Sequence, residues 1–159
     1  MKTRAFSLVE MILILVIIAL MAAIAAPRYS QFIANQQIEG AARRVSADLA
    51  LAQHDAKQSS SSRTVTFDLI TSSYQLYGVK DPNRVGRDYQ VKLSEEPYRA
   101  RIVSASFGGN AQLVFDGFGS PDTGGSVVIG VGNLRKTIDI DPVTGRSGRK
   151  ALSLEQMAQ

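Results

Sequence analysis

The chain contains no cysteine and a single histidine, His54, among its 159 residues. These absences exclude a disulfide framework, a thiol nucleophile and a zinc cluster of the usual kind, because one histidine cannot complete such a site alone. The residues around His54 do not have the spacing of a Ser-His-Asp triad, so we expect a solvated helix residue there. We therefore predict no catalytic residue, no metal site, no cofactor and no enzymatic activity.

The chain also has only a small excess of positive charge. The formal net charge is +4, and two of the basic side chains, Lys2 and Arg4, precede a long apolar segment. Their removal would leave 16 basic and 14 acidic side chains. A balance this even is not evidence for nucleic-acid binding, and we interpret the charges as a solvated surface.

A long apolar run is present near the N-terminus. From Phe6 to Ala26 only Ser7 and Glu10 are polar. As a helix these residues would span about 31 Å, which matches the roughly 30 Å core of a bilayer. Basic residues just before the run predict a cytoplasmic N-terminus, with the rest of the chain sent across the membrane.

Glu10 is the anomaly of this segment, because a carboxylate there costs a few kcal/mol on insertion scales. If the chain were cut before Phe6, the new α-amine would be a cation that Glu10 could meet in its own chain or in a neighbour. Such a pair would favour assembly in a defined register. Alternatively, Glu10 is an interfacial residue that interacts with the helix N-terminus. The physics of this segment leaves both interpretations open.

The sequence from Arg4 to Glu10, followed by the apolar run, resembles the class III signal of type IV pilins and pseudopilins. The resemblance implies that prepilin peptidase cleaves between Ala5 and Phe6 and methylates the new N-terminus at Phe6. It also implies that Glu10 is the assembly residue. The family usually has glycine where this chain has Ala5.

An ordinary secretory signal peptide is the main alternative for the N-terminus, with Ala23-Ile24-Ala25 as its cleavage site. Three observations speak against it. Glu10 interrupts the required apolar region, Pro27 would lie next to the cut, and the apolar run is longer than a signal peptide needs.

Helical periodicity resumes after Pro27. One apolar stripe has spacings of 3 and 4 residues, which predicts an amphipathic helix; it comprises Ile38, Ala42, Val45, Leu49, Ala52 and Ala56. Glu39, Arg43 and Asp48 are expected on other faces. Pro27 and Gly40 should weaken the helix, and the serines from Ser59 to Ser62 should end it.

After Ser62 the period changes to two, which predicts strands separated by turns. The predicted strands are Thr64–Leu69, Tyr74–Tyr77, Gln90–Leu93, Arg101–Phe107, Gln112–Phe115, Ser126–Val131 and Lys136–Ile140, with a hairpin joining the first two. The fold class is therefore α+β: a long N-terminal helix, first transmembrane and then amphipathic, packed on an antiparallel β domain of about seven strands. We place a leader at 1–5, a transmembrane helix at 6–27, an amphipathic helix at 28–58, the β domain at 63–150 and a tail at 151–159.

The chain also resembles the GspH/FimT group within this family. The resemblance lies in Leu49–Ala56 before a Val-x-Phe strand, in Leu113–Gly119, and in Lys136–Ile140 followed by Gly145-Arg146. It implies a minor pseudopilin of type II secretion or a minor pilin of a type IV pilus. The implied partners are prepilin peptidase, other pilin or pseudopilin subunits and the inner membrane, with the C-terminal domain in the periplasm and the subunit in a filament after assembly.

Three further patterns have a chemical interpretation. Gly117-x-Gly119 and Gly124-Gly125 lack the following helix that a phosphate loop needs, so we expect turn glycines. Asp139-x-Asp141 with Thr144 could offer oxygens to calcium but lacks EF-hand spacing, so we expect a strand end and a turn. The basic segment with Arg146, Arg149 and Lys150 resembles the Gly-Arg-rich segment of FimT-like minor pilins in DNA uptake, which makes DNA binding the alternative function.

Overall fold

The computed structural model describes residues 7–81 and 86–152, without the side chains of residues 24–27 and 150–152. Within these residues one helix precedes eight strands. They are α1 (Leu8–Ser59), β1 (Arg63–Asp68), β2 (Ser73–Lys80), β3 (Asp88–Lys92), β4 (Arg101–Phe107), β5 (Gln112–Phe115), β6 (Gly125–Val131), β7 (Leu134–Ile140) and β8 (Ser147–Leu152).

The chain divides into two units, Met1–Ala34 and Asn35–Gln159. The described part of the first unit is the beginning of α1. The second unit holds the remainder of α1 and both sheets. The helix assignment runs without a break through Pro27 and Gly40, as expected from the periodicity that resumes after the proline.

The predicted apolar stripe forms the buried face of α1 in the second unit. All six of its residues are buried, and Val45, Ala42, Ala52 and Ala56 are completely inaccessible. Three of the six are alanines, so this face of the helix is buried with few large side chains of its own. The serine run ends the helix as predicted: Ser60 has a φ of 48°, and the Ser61 amide donates to the Ala56 carbonyl at 3.2 Å. This left-handed residue with its six-to-one bond is a Schellman-type cap.

The strands form two antiparallel four-stranded sheets. The first has the order β3-β2-β1-β5, and the second has the order β4-β6-β7-β8. The predicted β1–β2 hairpin is present, with Val65 opposite Leu76 and Phe67 opposite Tyr74. The predicted fold class is confirmed, with one strand more than expected: β8, which contains the basic segment and pairs with β7.

The core lies between the stripe of α1 and the inner faces of the two sheets. Alternating residues of the strands supply it, and Leu113, Phe115, Val127, Ile129 and Ile138 are completely buried. Phe67 of the first sheet stacks on Phe107 of the second, with ring centroids 5.7 Å apart. Such aromatic pairs add to the burial of their area, so this pair helps to join the sheets.

Asp48 corrects one expectation about the helix, because it does not face solvent. It is only 5% exposed, and its Oδ2 accepts hydrogen bonds from the Tyr74 hydroxyl at 2.5 Å and from Arg44 Nε at 3.0 Å. The Tyr89 hydroxyl also lies near Asp48, at 3.3 Å from Oδ1. Buried charges need such partners, and here strands β2 and β3 supply them to the helix.

The pKa values of both tyrosines respond to this site. Burial raises the pKa of Tyr74 well above its usual range, and the Asp48 carboxylate raises it further. Burial and Asp48 also raise the pKa of Tyr89. Both phenols therefore keep their protons, and Tyr74 acts as a donor that fixes the position of Asp48.

Candidate assembly surface

The beginning of α1 presents a continuous apolar surface. Every residue from Ser7 to Ala23 is exposed in the described structure, including the large side chains of Leu8, Ile12, Leu15, Leu20 and Met21. By length and composition, this helix is able to cross a membrane. A stretch of exposed aliphatic side chains this long is not stable in water, so it requires lipid or another protein.

Glu10 lies in the first turn of α1 and is exposed. The helix forms around it in the regular way, since the Met11 amide donates to the Ser7 carbonyl at 3.2 Å. A carboxylate in a first turn is favourable because the amides there carry a partial positive charge. Among residues 7–81 and 86–152, Glu10 has no ion-pair partner.

Ala5 and Phe6 lie outside the described residues. The cleavage between them, the methylation of Phe6 and the pairing of its amine with Glu10 therefore stay predictions.

The basic segment spans a turn and strand β8. Arg146 is exposed in the turn before the strand, and the side chain of Lys150 lies outside the described structure. Arg149 is directed towards α1, where its Nη1 is 3.9 Å from Glu39 Oε1. Arg149 is thus partly engaged within the chain, a contact that the short basic motif did not reveal.

Glu39 is the centre of a charged cluster that joins α1 to the second sheet. Its carboxylate receives hydrogen bonds from Lys136 of β7 and from Arg43, the latter at 3.1 Å. The hydrogen bond from Lys136 lowers the pKa of Glu39, and that from Arg43 lowers it further. One carboxylate of α1 therefore lies among three cations, of which Lys136 belongs to β7 and Arg149 to β8.

The remaining residues with a chemical interpretation occupy structural positions. His54 is exposed on α1. Gly119 has a φ of 75° in the turn after β5, and strand β6 follows that turn in place of the helix that a phosphate loop requires.

Asp141 caps the turn after β7. Its Oδ1 accepts hydrogen bonds from the amides of Val143 at 2.9 Å and Thr144 at 2.8 Å, and these bonds, that of Thr144 first, lower its pKa. The expected strand end and turn are present. In the described part of the chain, no three histidine, aspartate or glutamate side chains come together in a way that could hold a metal ion.

No protein-family model matches the sequence, and no curated protein matches it. Among solved structures, that of the type IV minor pilin FimU from Pseudomonas aeruginosa is similar. The match covers 77% of this chain and 92% of that chain, with 13% sequence identity and a TM-score of 0.49.

Proposed function

We propose that this chain is a structural subunit, a minor pseudopilin or minor pilin, of a type II secretion pseudopilus or a type IV pilus. The observation that carries the proposal is the exposed apolar surface of Leu8–Ala23 with one carboxylate, Glu10, in its first turn. The surface suits first a bilayer and then a bundle of apolar helices from pilin or pseudopilin subunits. Catalysis forms no part of this function.

In the membrane stage, α1 anchors the chain in the inner membrane. Lys2 and Arg4 keep the N-terminus in the cytoplasm, and the second unit lies in the periplasm. Prepilin peptidase then cuts between Ala5 and Phe6 and methylates Phe6.

In the assembly stage, the new Phe6 amine meets Glu10 of its own or a neighbouring chain. An unpaired carboxylate in the apolar environment is costly, so the pair favours the helix register in which both charges are satisfied. The aliphatic surface of α1 packs on neighbouring helices, and the second unit selects its partners.

The N-terminus of the membrane-extracted protein tests the first stage. The chain is expressed with its native peptidase, and its intact mass and N-terminal sequence are determined. We expect a chain that begins at methylated Phe6. A chain that begins near Ala26 or Pro27 would indicate a secreted protein and overturn the proposal, and an uncut Met1 would show that Ala5 blocks processing.

The assembly role of Glu10 is tested with Glu10→Leu, which removes the carboxylate but keeps the segment apolar. We expect this variant to remain in the membrane fraction and to be lost from purified filaments. Ser7→Ala is the matched control, because it changes the other polar residue of the segment and should leave filament incorporation unchanged. Normal incorporation of Glu10→Leu would contradict the role.

DNA binding through Arg146, Arg149 and Lys150 is the alternative. The contact of Arg149 with Glu39 weighs against it, since it draws one of the three cations towards the helix. A salt-dependent gel shift that is lost when all three residues are changed to alanine would support DNA binding, and no shift at low salt would exclude it.

A further inference from the structure

A groove of about 370 Å³ lies where the tip of the β1–β2 hairpin meets the second sheet. Its lining includes Leu69 and Ile70 of the hairpin, Arg101 and Val103 of β4, Gly130 of β6 and Arg135 of β7. All of these residues belong to the second unit. We call this site the arginine groove.

The side of the arginine groove formed by the tip of the β1–β2 hairpin is apolar, and hydrogen bonds of Ser72 fix its position. Ile70 is 95% exposed, and Leu69 and Val103 are also exposed. Ser72 fixes the tip: its Oγ accepts a hydrogen bond from the Ile102 amide at 3.3 Å, and its carbonyl accepts one from the Leu93 amide at 2.9 Å. An exposed isoleucine on an anchored turn is a preformed contact, which lowers the entropy lost on binding.

The floor of the groove is the guanidinium of Arg135. It lies across Gly130, where an added Cβ would be 2.8 Å from Arg135 Nη1 and 3.0 Å from Val103 Cγ2. Nη1 donates to the carbonyls of Gly132 at 2.7 Å and Leu134 at 2.8 Å. Arg135 Nε is buried and has no hydrogen-bond partner in the described structure, although buried donors are nearly always paired.

The charge of the groove is uncompensated. Arg101 is exposed and has no ion-pair partner among the described residues, and no carboxylate belongs to the lining. Asp68, the nearest acid along the hairpin, is used in its own turn, where Oδ1 accepts from the Ile70 amide at 2.8 Å. Two arginines therefore line the groove together with Leu69, Ile70 and Val103, and its lining contains no acidic residue.

We propose that the arginine groove binds an extended segment of a partner protein in which a carboxylate side chain stands next to aliphatic side chains. The carboxylate pairs with Arg101 and Arg135, since guanidinium groups and carboxylates form charge-assisted, often bidentate hydrogen bonds. The aliphatic side chains cover Leu69, Ile70 and Val103. This inference is independent of the N-terminal processing proposed above, so either can fail without the other.

The test uses the full chain in an uncharged detergent, with isoleucine methyl groups labelled with carbon-13. The signal of Ile70 is assigned from an Ile70→Val variant. The probe is the peptide acetyl-Ser-Leu-Glu-Ile-Ser-amide, and the matched control peptide has glutamine in place of glutamate. We expect a saturable shift of the Ile70 methyl signal, with the glutamine peptide binding about tenfold more weakly because it lacks the charge-assisted bonds.

Three variants connect the shift to the groove. Arg101→Ala should weaken the peptide about tenfold, and Gly130→Ala should weaken it by displacing the Arg135 guanidinium. Arg146→Ala removes the same charge outside the groove and should have no effect. The proposal is overturned if the Ile70 signal does not move, or if the glutamate and glutamine peptides bind equally.

A chain that ends at Leu152 tests whether residues 153–159 of the protein itself, and not a partner, occupy the groove. Leu152 pairs with Arg135 across β7 and β8, and seven more residues, 153–159, follow it in the sequence. If removing them shifts the Ile70 signal without peptide, the chain's own segment occupies the groove and the proposal of a partner fails. An unchanged signal supports the partner.

Discussion

The two halves of helix α1 share a backbone conformation but have opposite surroundings. From Leu8 to Met21 the side chains are mostly large and aliphatic, and all are exposed. From Ile38 to Ala56 the apolar stripe is rich in alanine and completely or almost completely buried. Large exposed side chains therefore mark the half whose partner lies outside the chain, whereas the alanine-rich stripe marks the half that is buried within the second unit.

The largest expected contrast comes from placing one aspartate in each half. Val45→Asp should destabilise the second unit by about 3 to 5 kcal/mol, because it buries an unpaired charge. Val16→Asp should leave thermal unfolding of that unit unchanged and reduce membrane retention, since a central carboxylate opposes insertion. Melting curves in detergent and membrane fractionation measure the two effects. Equal melting temperatures for both variants would contradict the difference in burial between the two halves of α1.

Removing Asp48 tests the polar contact on the buried half. Asp48→Ala should cost about 2 to 3 kcal/mol, because the buried Tyr74 hydroxyl loses its acceptor. Asp48→Asn keeps an acceptor oxygen and should cost less. Asp139→Ala, an exposed aspartate on β7, is the control and should be near neutral. Denaturant unfolding measures all three, and a neutral Asp48→Ala would show that the network is unimportant.

Replacing an alanine by leucine in each half of α1 tests whether that half has room for a larger side chain. Ala52→Leu should destabilise the second unit by about 1 to 3 kcal/mol, because Ala52 is completely buried and a larger side chain would overpack its site. Ala19→Leu, in the exposed half, should leave its melting temperature unchanged. A stability loss from Ala19→Leu would mean that the first half also packs within the chain.

Alkaline pH should lower the stability of the second unit, which contains the buried half of α1. The folded pKa of Tyr74 lies above its unfolded value of 10.0, so its contribution is complete below pH 10 and is lost as the pH rises through the folded pKa. The loss is up to about 1.4 kcal/mol per pH unit for one group. Melting temperatures above pH 10 should fall less steeply for Tyr74→Phe than for the unchanged protein, and identical slopes would contradict the pKa shift.

The smallest effect is expected at Glu39. Glu39→Gln should cost less than about 1 kcal/mol at neutral pH, because its ion pairs lie near the surface. Since the pKa of Glu39 is lowered, its contribution is present above 4.5, the ordinary value, and is lost as the pH falls. The variant and the unchanged protein should therefore converge in stability in acid, and a difference that persists there would point to packing.

Local patterns predicted most of the fold. Strands β4 and β5 have the bounds expected from alternation, and β1 begins one residue earlier than expected. Strand β8 was missed because Ser147-Gly148-Arg149-Lys150 has no apolar alternation. Its pairing with β7, and not its own side chains, makes it a strand.

The candidate assembly surface was predictable because it depends on a continuous run of residues. The exposed position of Glu10 follows from the same run, whereas its predicted pairing with the Phe6 amine involves a residue outside the described structure. The charged cluster at Glu39 and the burial of Asp48 were not predictable. A helical projection shows on which face of α1 Asp48 lies. It does not show that the hydroxyls of Tyr74 and Tyr89 reach it.

Periodicity over neighbouring residues predicted a helix of membrane length, its buried stripe and the β1–β2 hairpin. Which distant segments meet depends on the tertiary packing. It placed β1 between β2 and β5, brought Arg149 to Glu39, and assembled the arginine groove from a hairpin tip and three other strands. The physical reason is that antiparallel edges pair through backbone groups common to all residues, so the side-chain pattern of one strand does not specify its neighbour.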